Sequence, residues 1–179
     1  MRSLFAAACF ACLLSVVGAA EEENPFKKAR VGDWVEYRMT GPNIEGKTKM
    51  TIVTKDDKEV VYEVTGTFSF MGMESVAPVQ KQTVDLTKSY DPIVAANLKR
   101  NNVKIEKLAE GKEKLKVGQK EFATNWTKLR STTTVNNVTI VTDYQMWFAA
   151  EVPLGGLVRM DTTGGNFTTK MELVGSGGK

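Results

Sequence analysis

The segment spanning residues 138–163 constrains the fold of this chain more than any other. Its first half alternates between apolar and polar residues, with Val141 and Trp147 as apolar exceptions, and this is the period of a β-strand. One face of that strand carries Val138, Ile140, Thr142, Tyr144, Met146 and Phe148. Pro153 and the pair Gly155-Gly156 then interrupt the pattern, which resumes at Leu157. Because proline and paired glycines are typical of turns, the segment predicts a β-hairpin in an antiparallel sheet.

Further segments with a period of two lie on both sides of this hairpin. They predict strands over residues 31–39, 47–54, 60–70, 79–86, 114–117, 121–134 and 167–174. Gly66 lies inside one of them and predicts a bulge or bend. Asp91-Pro92 has the form of a helix N-terminus and predicts a short helix over residues 91–98. We therefore predict a mainly β fold, α+β at most. It would be a single curved antiparallel sheet or half-barrel of about eight to ten strands, with one or two short helices.

The N-terminus has the pattern of a secretory signal. Arg2 precedes an uncharged run, and Gly18-Ala19-Ala20 supplies small residues before three glutamates. We predict a signal peptide over residues 1–20, a polar leader over 21–30, one β-rich domain over 31–174 and a flexible tail over 175–179. The alternative for the first segment is an uncleaved N-terminal anchor. After cleavage we expect a soluble monomer in the periplasm or outside the cell, with no transmembrane segment.

The residue types exclude most common chemistry. The chain contains no histidine, and both cysteines, Cys9 and Cys12, lie in the predicted signal. Imidazole bases, thiol nucleophiles and their metal sites are therefore missing from the remainder. The acidic residues Asp85, Asp143, Glu151 and Asp161 show no spacing typical of a carboxylate pair or a calcium site. We predict a protein that is not an enzyme, with no catalytic residue, no cofactor and no stoichiometric transition metal.

Charge argues against a nucleic-acid partner. The formal net charge is only +3, too small to indicate a polyanion partner. Residues 99–120 carry eight basic and three acidic side chains, but no aromatic residue that could stack on a base. Lys114 and Lys116 alternate with Leu115 and Val117, which favours the solvated face of a strand. Lysines on such a strand also discourage edge-to-edge aggregation.

The last third of the chain resembles a family of exported bacterial proteins. The resemblance lies in the run 117–122, VGQKEF, in Trp126 and Trp147, and in the run 151–160, EVPLGGLVRM. These motifs and the strand layout are similar to the lipoprotein-carrier (Lol-like) superfamily. That resemblance implies a curved antiparallel sheet, open like a half-barrel, with helices closing an apolar cavity. It implies no catalytic residue, and only residues 91–98 offer a helix for the cavity.

These observations lead to one leading function and one alternative. The leading function is binding of an apolar ligand, such as a lipid or acyl chain, or of a lipidated partner, in the concave face of the sheet. The alternative is a structural or protein-interaction module of the cell envelope with a closed core and no ligand. The predicted apolar binding residues are Tyr62, Phe68, Phe70, Met71, Met73, Tyr144, Met146 and Phe148. A pocket of this kind is mostly apolar with few polar groups.

Overall fold

A computed structural model describes residues 24–91, 103–136, 138–165 and 167–178. These residues form one open antiparallel sheet of nine strands, in the order β4-β3-β2-β1-β9-β8-β7-β6-β5. The strands are β1 (Trp34–Gly41), β2 (Ile44–Lys55), β3 (Glu59–Phe70), β4 (Met73–Asp85), β5 (Val103–Val117), β6 (Lys120–Val135), β7 (Val138–Phe148), β8 (Leu157–Gly164) and β9 (Phe167–Gly177). Among the residues described, the one helix is a 3₁₀ turn at Pro25–Lys28. The predicted mainly β class is confirmed. The helix predicted over 91–98 falls outside the described residues, except for Asp91.

Local hairpins account for most of the sheet, and they are where the sequence predicted them. The turn at Gly118-Gln119 joins β5 to β6, and the longer connection through Pro153 joins β7 to β8. The register of β3 against β4 shifts at Gly66, the position of the predicted bulge. There β4 inserts an extra residue beside Pro78, which cannot donate a backbone hydrogen bond and is tolerated at a bulge.

The first and last strands pair with each other at the centre of the sheet. Strand β1 lies between β2 and β9, so the N-terminal and C-terminal strands are neighbours. Trp34 is opposite Gly177, and Val35 is opposite Ser176. Residues 175–177 are thus part of β9, whereas the sequence predicted a flexible tail from residue 175. Glycine and serine weaken a strand locally, but a long-range partner supplies backbone hydrogen bonds that override this preference. The flexibility of the tail stays a prediction.

The described part of the leader packs against the sheet. Phe26 is only 2% exposed and belongs to the hydrophobic core. The buried side chain of Asn24 accepts a hydrogen bond from the Phe26 N–H at 3.1 Å and donates to the carbonyl oxygens of Asp85 and Lys88. The Lys55 ammonium donates to the carbonyl of Ala29 at 2.7 Å. These bonds fix the leader across one end of the sheet.

The core lies on one face of the sheet, which we call the inner face and define by Val35, Tyr37, Tyr62, Val158 and Leu173. All five side chains are buried in a single cluster. The cluster also contains Val117 of β5, although β5 is seven strands away from β3 in the sheet order. Edge strand β5 also comes into contact with β9, four strands away. The sheet is therefore strongly curled, and its inner face is concave.

The two edge strands differ in composition. Strand β5 carries alternating charges, and Lys104, Lys112, Lys114 and Lys116 are all exposed. Strand β4 has few charges, and its bulge at Pro78 interrupts the edge. Charged side chains and bulges both discourage pairing with another chain. From residue 103 to residue 117 the basic interval is thus an edge strand with exposed lysines, as the sequence predicted.

A cluster on the opposite, outer face connects β5, β7 and β8. The Trp147 indole N–H donates to the Glu113 carboxylate. The Arg159 guanidinium lies 5.0 Å from the centre of the Trp147 ring and pairs with Asp161. Glu172 of β9 lies 3.8 Å from the same guanidinium. Because Arg159 stacks on an aromatic ring while its charge is compensated, the cluster packs the outer face without an unpaired buried charge.

Candidate functional site

A cleft opens at the end of the sheet where β7 leads into β8. Its volume is about 940 Å³. The leader, the start of β1, the middle of β5 and β6, the connection after β7 and the end of β9 form its walls. The lining side chains and backbone segments include Pro25, Ala29, Tyr90, Gly111, Trp126, Thr127, Phe148, Ala149, Ala150, Val152, Pro153, Gly155, Gly156 and Gly177. Most of these are apolar or aromatic.

The connection at residues 149–156 forms one rim of the cleft. The Ala149 N–H donates to the Gly156 carbonyl at 2.8 Å, and the Val152 N–H donates to the Ala149 carbonyl at 3.2 Å. Gly155 and Gly156 have φ values of +91° and +77°. Glycine adopts such angles without steric cost. The paired glycines therefore close the loop tightly, and Val152 and Leu154 are buried beneath it.

Two aromatic side chains pack on glycine backbone at the walls. A Cβ atom on Gly111 would lie 2.9 Å from the Trp126 ring, so the indole lies directly on the β5 backbone. A Cβ atom on Gly155 would lie 2.5 Å from the Tyr90 hydroxyl. Both contacts require glycine. For the contact of Trp126, the sequence contains a hint, because Gly111 interrupts a run of charged residues. For the contact of Tyr90 it contains none.

Beneath the cleft is an aromatic cluster. The Phe26 ring stacks on Tyr62 at 5.9 Å and packs against Tyr90 at 5.8 Å. The Tyr62 hydroxyl donates to Gln82 at 2.6 Å, and the Tyr37 hydroxyl donates to the Leu157 carbonyl at 3.1 Å. Burial raises the pKa of Tyr37, Tyr62 and Tyr90 above the usual value, and for Tyr37 and Tyr90 the neighbouring tyrosines add to the effect. A neutral hydroxyl is thus favoured at all three.

The buried tyrosines predict a loss of stability at high pH. Burial raises the pKa of Tyr37 in the folded state. The contribution of its neutral hydroxyl to the free energy of unfolding is therefore complete below the pKa of the unfolded chain, about 10, and is lost as the pH rises above that value. The expected loss is up to about 1.4 kcal/mol per pH unit for this group. Urea denaturation of wild type and Tyr37→Phe between about pH 8 and 11 measures it. The variant should show the shallower decline, and equal slopes would contradict the assignment.

Charges around the cleft have both signs. Lys28, Lys112, Asp33, Glu110 and Glu151 contribute to its lining. The Asp33 carboxylate accepts a hydrogen bond from the Arg30 N–H at 2.8 Å. The lining therefore combines charged and polar side chains with an apolar and aromatic surface.

The remaining carboxylates named in the sequence analysis form ion pairs. Asp143 receives two hydrogen bonds from Arg130, at 2.7 and 2.9 Å, and this guanidinium lowers the pKa of the carboxyl. Asp161 pairs with Arg159. Asp85 accepts from Thr87 and pairs with Lys88 at 3.0 Å, and the Thr87 hydroxyl lowers its pKa to about 2. Within the described ranges, no group of three acidic, histidine or cysteine side chains could hold a metal ion.

The structure disperses the eight side chains predicted to bind a ligand. Phe148 lines the cleft. Tyr62 and Met146 are buried, and Phe68 and Tyr144 are half-buried. The other three are 54–70% exposed around the β3–β4 turn, at the end of the sheet opposite the cleft, namely Phe70, Met71 and Met73. Met71 lies in the β3–β4 turn. The seven others lie in strands, but distance along the strands separates them. Their role in binding stays a prediction.

Comparison with known proteins gives a similarity at the level of structure. No model of a protein family matches the sequence, and no curated protein matches it. The fold is similar to the crystal structure of a protein from Bacteroides fragilis, described as exported and having a YmcC-like fold. The TM-score is 0.49 and the identity 10%, over 83% of this chain and 96% of the other. No helix in the described part of the chain is long and apolar enough to cross a membrane.

Proposed function

We propose that this protein is an exported, non-enzymatic binding protein that holds an apolar chain, from a lipid or a lipidated partner, in the cleft. The observation that carries the proposal is the cleft itself. Its volume of about 940 Å³ is near the upper end of the range for ligand pockets, about 300–1,000 Å³. The predicted signal peptide supports export.

The position of the cleft refines the binding region proposed from the sequence. Of the predicted residues, only Phe148 contributes to the lining, and Trp126, Tyr90 and Val152 supply the other large apolar surfaces. Burying an acyl chain against these walls would remove apolar surface from water at about 25 cal/mol per Å². The charged groups of both signs in the lining would orient the polar end of the ligand.

A substitution that fills the cleft tests the proposal. Ala150 lines the cleft and is exposed, so Ala150→Trp should occupy the space without disturbing the core. We expect wild type to bind a fluorescent fatty-acyl probe saturably and Ala150→Trp to bind it at least about tenfold more weakly, a loss of about 1.4 kcal/mol. Fluorescence titration of both proteins measures this difference.

Ala123→Trp is the matched control. Ala123 is also exposed and lies on β6 outside the cleft, so this variant should bind the probe as wild type does. Unchanged binding by Ala150→Trp would place the probe elsewhere. Absence of saturable binding of the acyl probe by folded wild type would contradict the proposal.

The alternative function, a protein-interaction module of the envelope, has one observation in its favour. The β3–β4 hairpin tip exposes large apolar side chains, with Met71 at 70% and Val76 at 77%. An exposed apolar patch is typical of an interaction surface. If wild type fails to bind the acyl probe, this tip is the surface to substitute next.

A further inference from the structure

Four methionines lie in one row across four neighbouring strands. Met39 of β1 is directly opposite Met171 of β9, Met171 is opposite Met160 of β8, and Met160 is opposite Met146 of β7. We call this set the methionine row. It holds half of the eight methionines in the chain. The directly paired residues of the row are 11 to 132 positions apart in the sequence, so only the strand register brings them together.

The row lies on the inner face of the sheet. On β1, β9 and β8 it is two residues from a core position, because Met39 follows Tyr37, Met171 precedes Leu173 and Met160 follows Val158. On β7, Met146 shares this face through its pairing with Met160. Met39, Met160 and Met171 are half-buried, and Met146 is 1% exposed. Since the inner face is concave, side chains rising from neighbouring strands converge above it. The row is bounded by Gly46 opposite Met39 and by Thr127 opposite Met146.

Thioethers in this arrangement have a specific chemistry. Directly opposite residues on antiparallel strands have Cβ atoms about 4.5–5.5 Å apart, and methionine has three rotatable bonds with which to adjust its sulfur. Sulfurs from adjacent strands can therefore reach a common centre. Thioether sulfur is a soft ligand that selects Cu(I) over hard cations. The sequence analysis expected no transition metal because it considered imidazole, thiolate and oxygen ligands and not thioethers.

We propose that the methionine row binds one soft monovalent ion, Cu(I), through the sulfurs of Met39, Met160 and Met171, with Met146 closing the buried side. No histidine exists in the chain and no cysteine follows residue 12, so the methionines are the softest ligands outside the predicted signal. Half-burial shields the ion from water and leaves it an approach. The row lies outside the cleft lining, so this binding is separate from the proposed acyl site.

The experiment uses the full chain as exported, with Ag(I) as a redox-inert probe and Cu(I) under anaerobic conditions. We expect one equivalent to bind wild type, measured by calorimetry and by native mass spectrometry. The variant Met160→Leu/Met171→Leu should weaken binding at least a hundredfold. Leucine conserves side-chain volume, and circular dichroism checks the fold. Met71→Leu/Met73→Leu, at the exposed tip, is the matched control and should bind as wild type does.

Methionine methyl NMR of wild type keeps the test independent of the folding of any variant. Ag(I) should shift the methyl signals of the methionine row and leave those of Met50, Met71 and Met73 in place. The proposal is overturned if wild type binds no ion, if the tip variant rather than the row variant loses binding, or if the tip methyls are the ones that shift. The first of these outcomes would leave the row as adaptable packing between strands.

Discussion

Replacing Phe26 by alanine is expected to lower the free energy of unfolding by about 3–5 kcal/mol. Phe26 is 2% exposed, stacks on Tyr62 and packs against Tyr90. Its removal would leave a cavity between two aromatic rings that cannot collapse fully onto it. Urea denaturation followed by tryptophan fluorescence measures the change. The melting temperature should fall by about 10 °C for a domain of this size.

Lys27→Ala is the matched control in the same 3₁₀ turn. The Lys27 side chain is exposed, and the residue bonds through its backbone: its N–H donates to the Asn24 carbonyl at 2.9 Å and its carbonyl accepts from Lys55. We therefore expect its free energy of unfolding to change by less than about 0.5 kcal/mol. If Phe26→Ala costs no more than this control, the leader is not part of the folded domain, contrary to its burial.

Replacing Gly156 by alanine is the second substitution expected to have a large effect. Its φ of +77° costs a residue with a side chain about 1–2 kcal/mol. In addition, the new Cβ would lie 2.9 Å from the Ala149 carbonyl oxygen, which already accepts from Val152. The loop must shift to relieve this contact, adding about 1–3 kcal/mol. Because the loop forms the rim of the cleft, acyl-probe binding should weaken as well.

Gly72→Ala separates the backbone strain at positive φ from the steric contact with Ala149. Gly72 has a similar φ of +82° in the β3–β4 turn, but a Cβ atom there would meet nothing within 4 Å. This variant should therefore show the backbone strain alone and bind the probe as wild type does. Parallel denaturation and probe titrations compare the variants. Equal losses of stability at Gly72 and Gly156 would mean that the contact with Ala149 costs nothing.

Local pattern was sufficient to predict the hairpins. Alternation of apolar and polar residues indicates a strand. Turn residues separate two such runs at Gly118-Gln119 and again at Pro153 and Gly155-Gly156. The register shift beside Gly66 was indicated for the same reason, although the extra residue lies in the partner strand β4. All these signals involve residues within a few positions of one another, so no knowledge of distant contacts was needed.

The candidate site could not be predicted in this way. Trp126 and Gly111 are paired across the β5–β6 hairpin, but Tyr90 packs on Gly155 of the connection between β7 and β8, a contact between distant segments that no local pattern indicates. The binding residues predicted from alternation share faces of strands, yet Phe148 lies at one end of the sheet and Met73 at the other. Alternation specifies which face of the sheet a residue occupies, but it does not specify the register that sets which residue of the neighbouring strand lies opposite.

The sequence by itself determined the β class, the hairpin order and the side of the sheet that each residue occupies, because all three follow from periods of two and from turn residues. Only the tertiary structure decided that β1 pairs with β9, that Phe26 enters the core, and that four methionines form one row. These features depend on register between strands distant in sequence. That register is set by the simultaneous burial of the whole inner face, a property no local segment possesses.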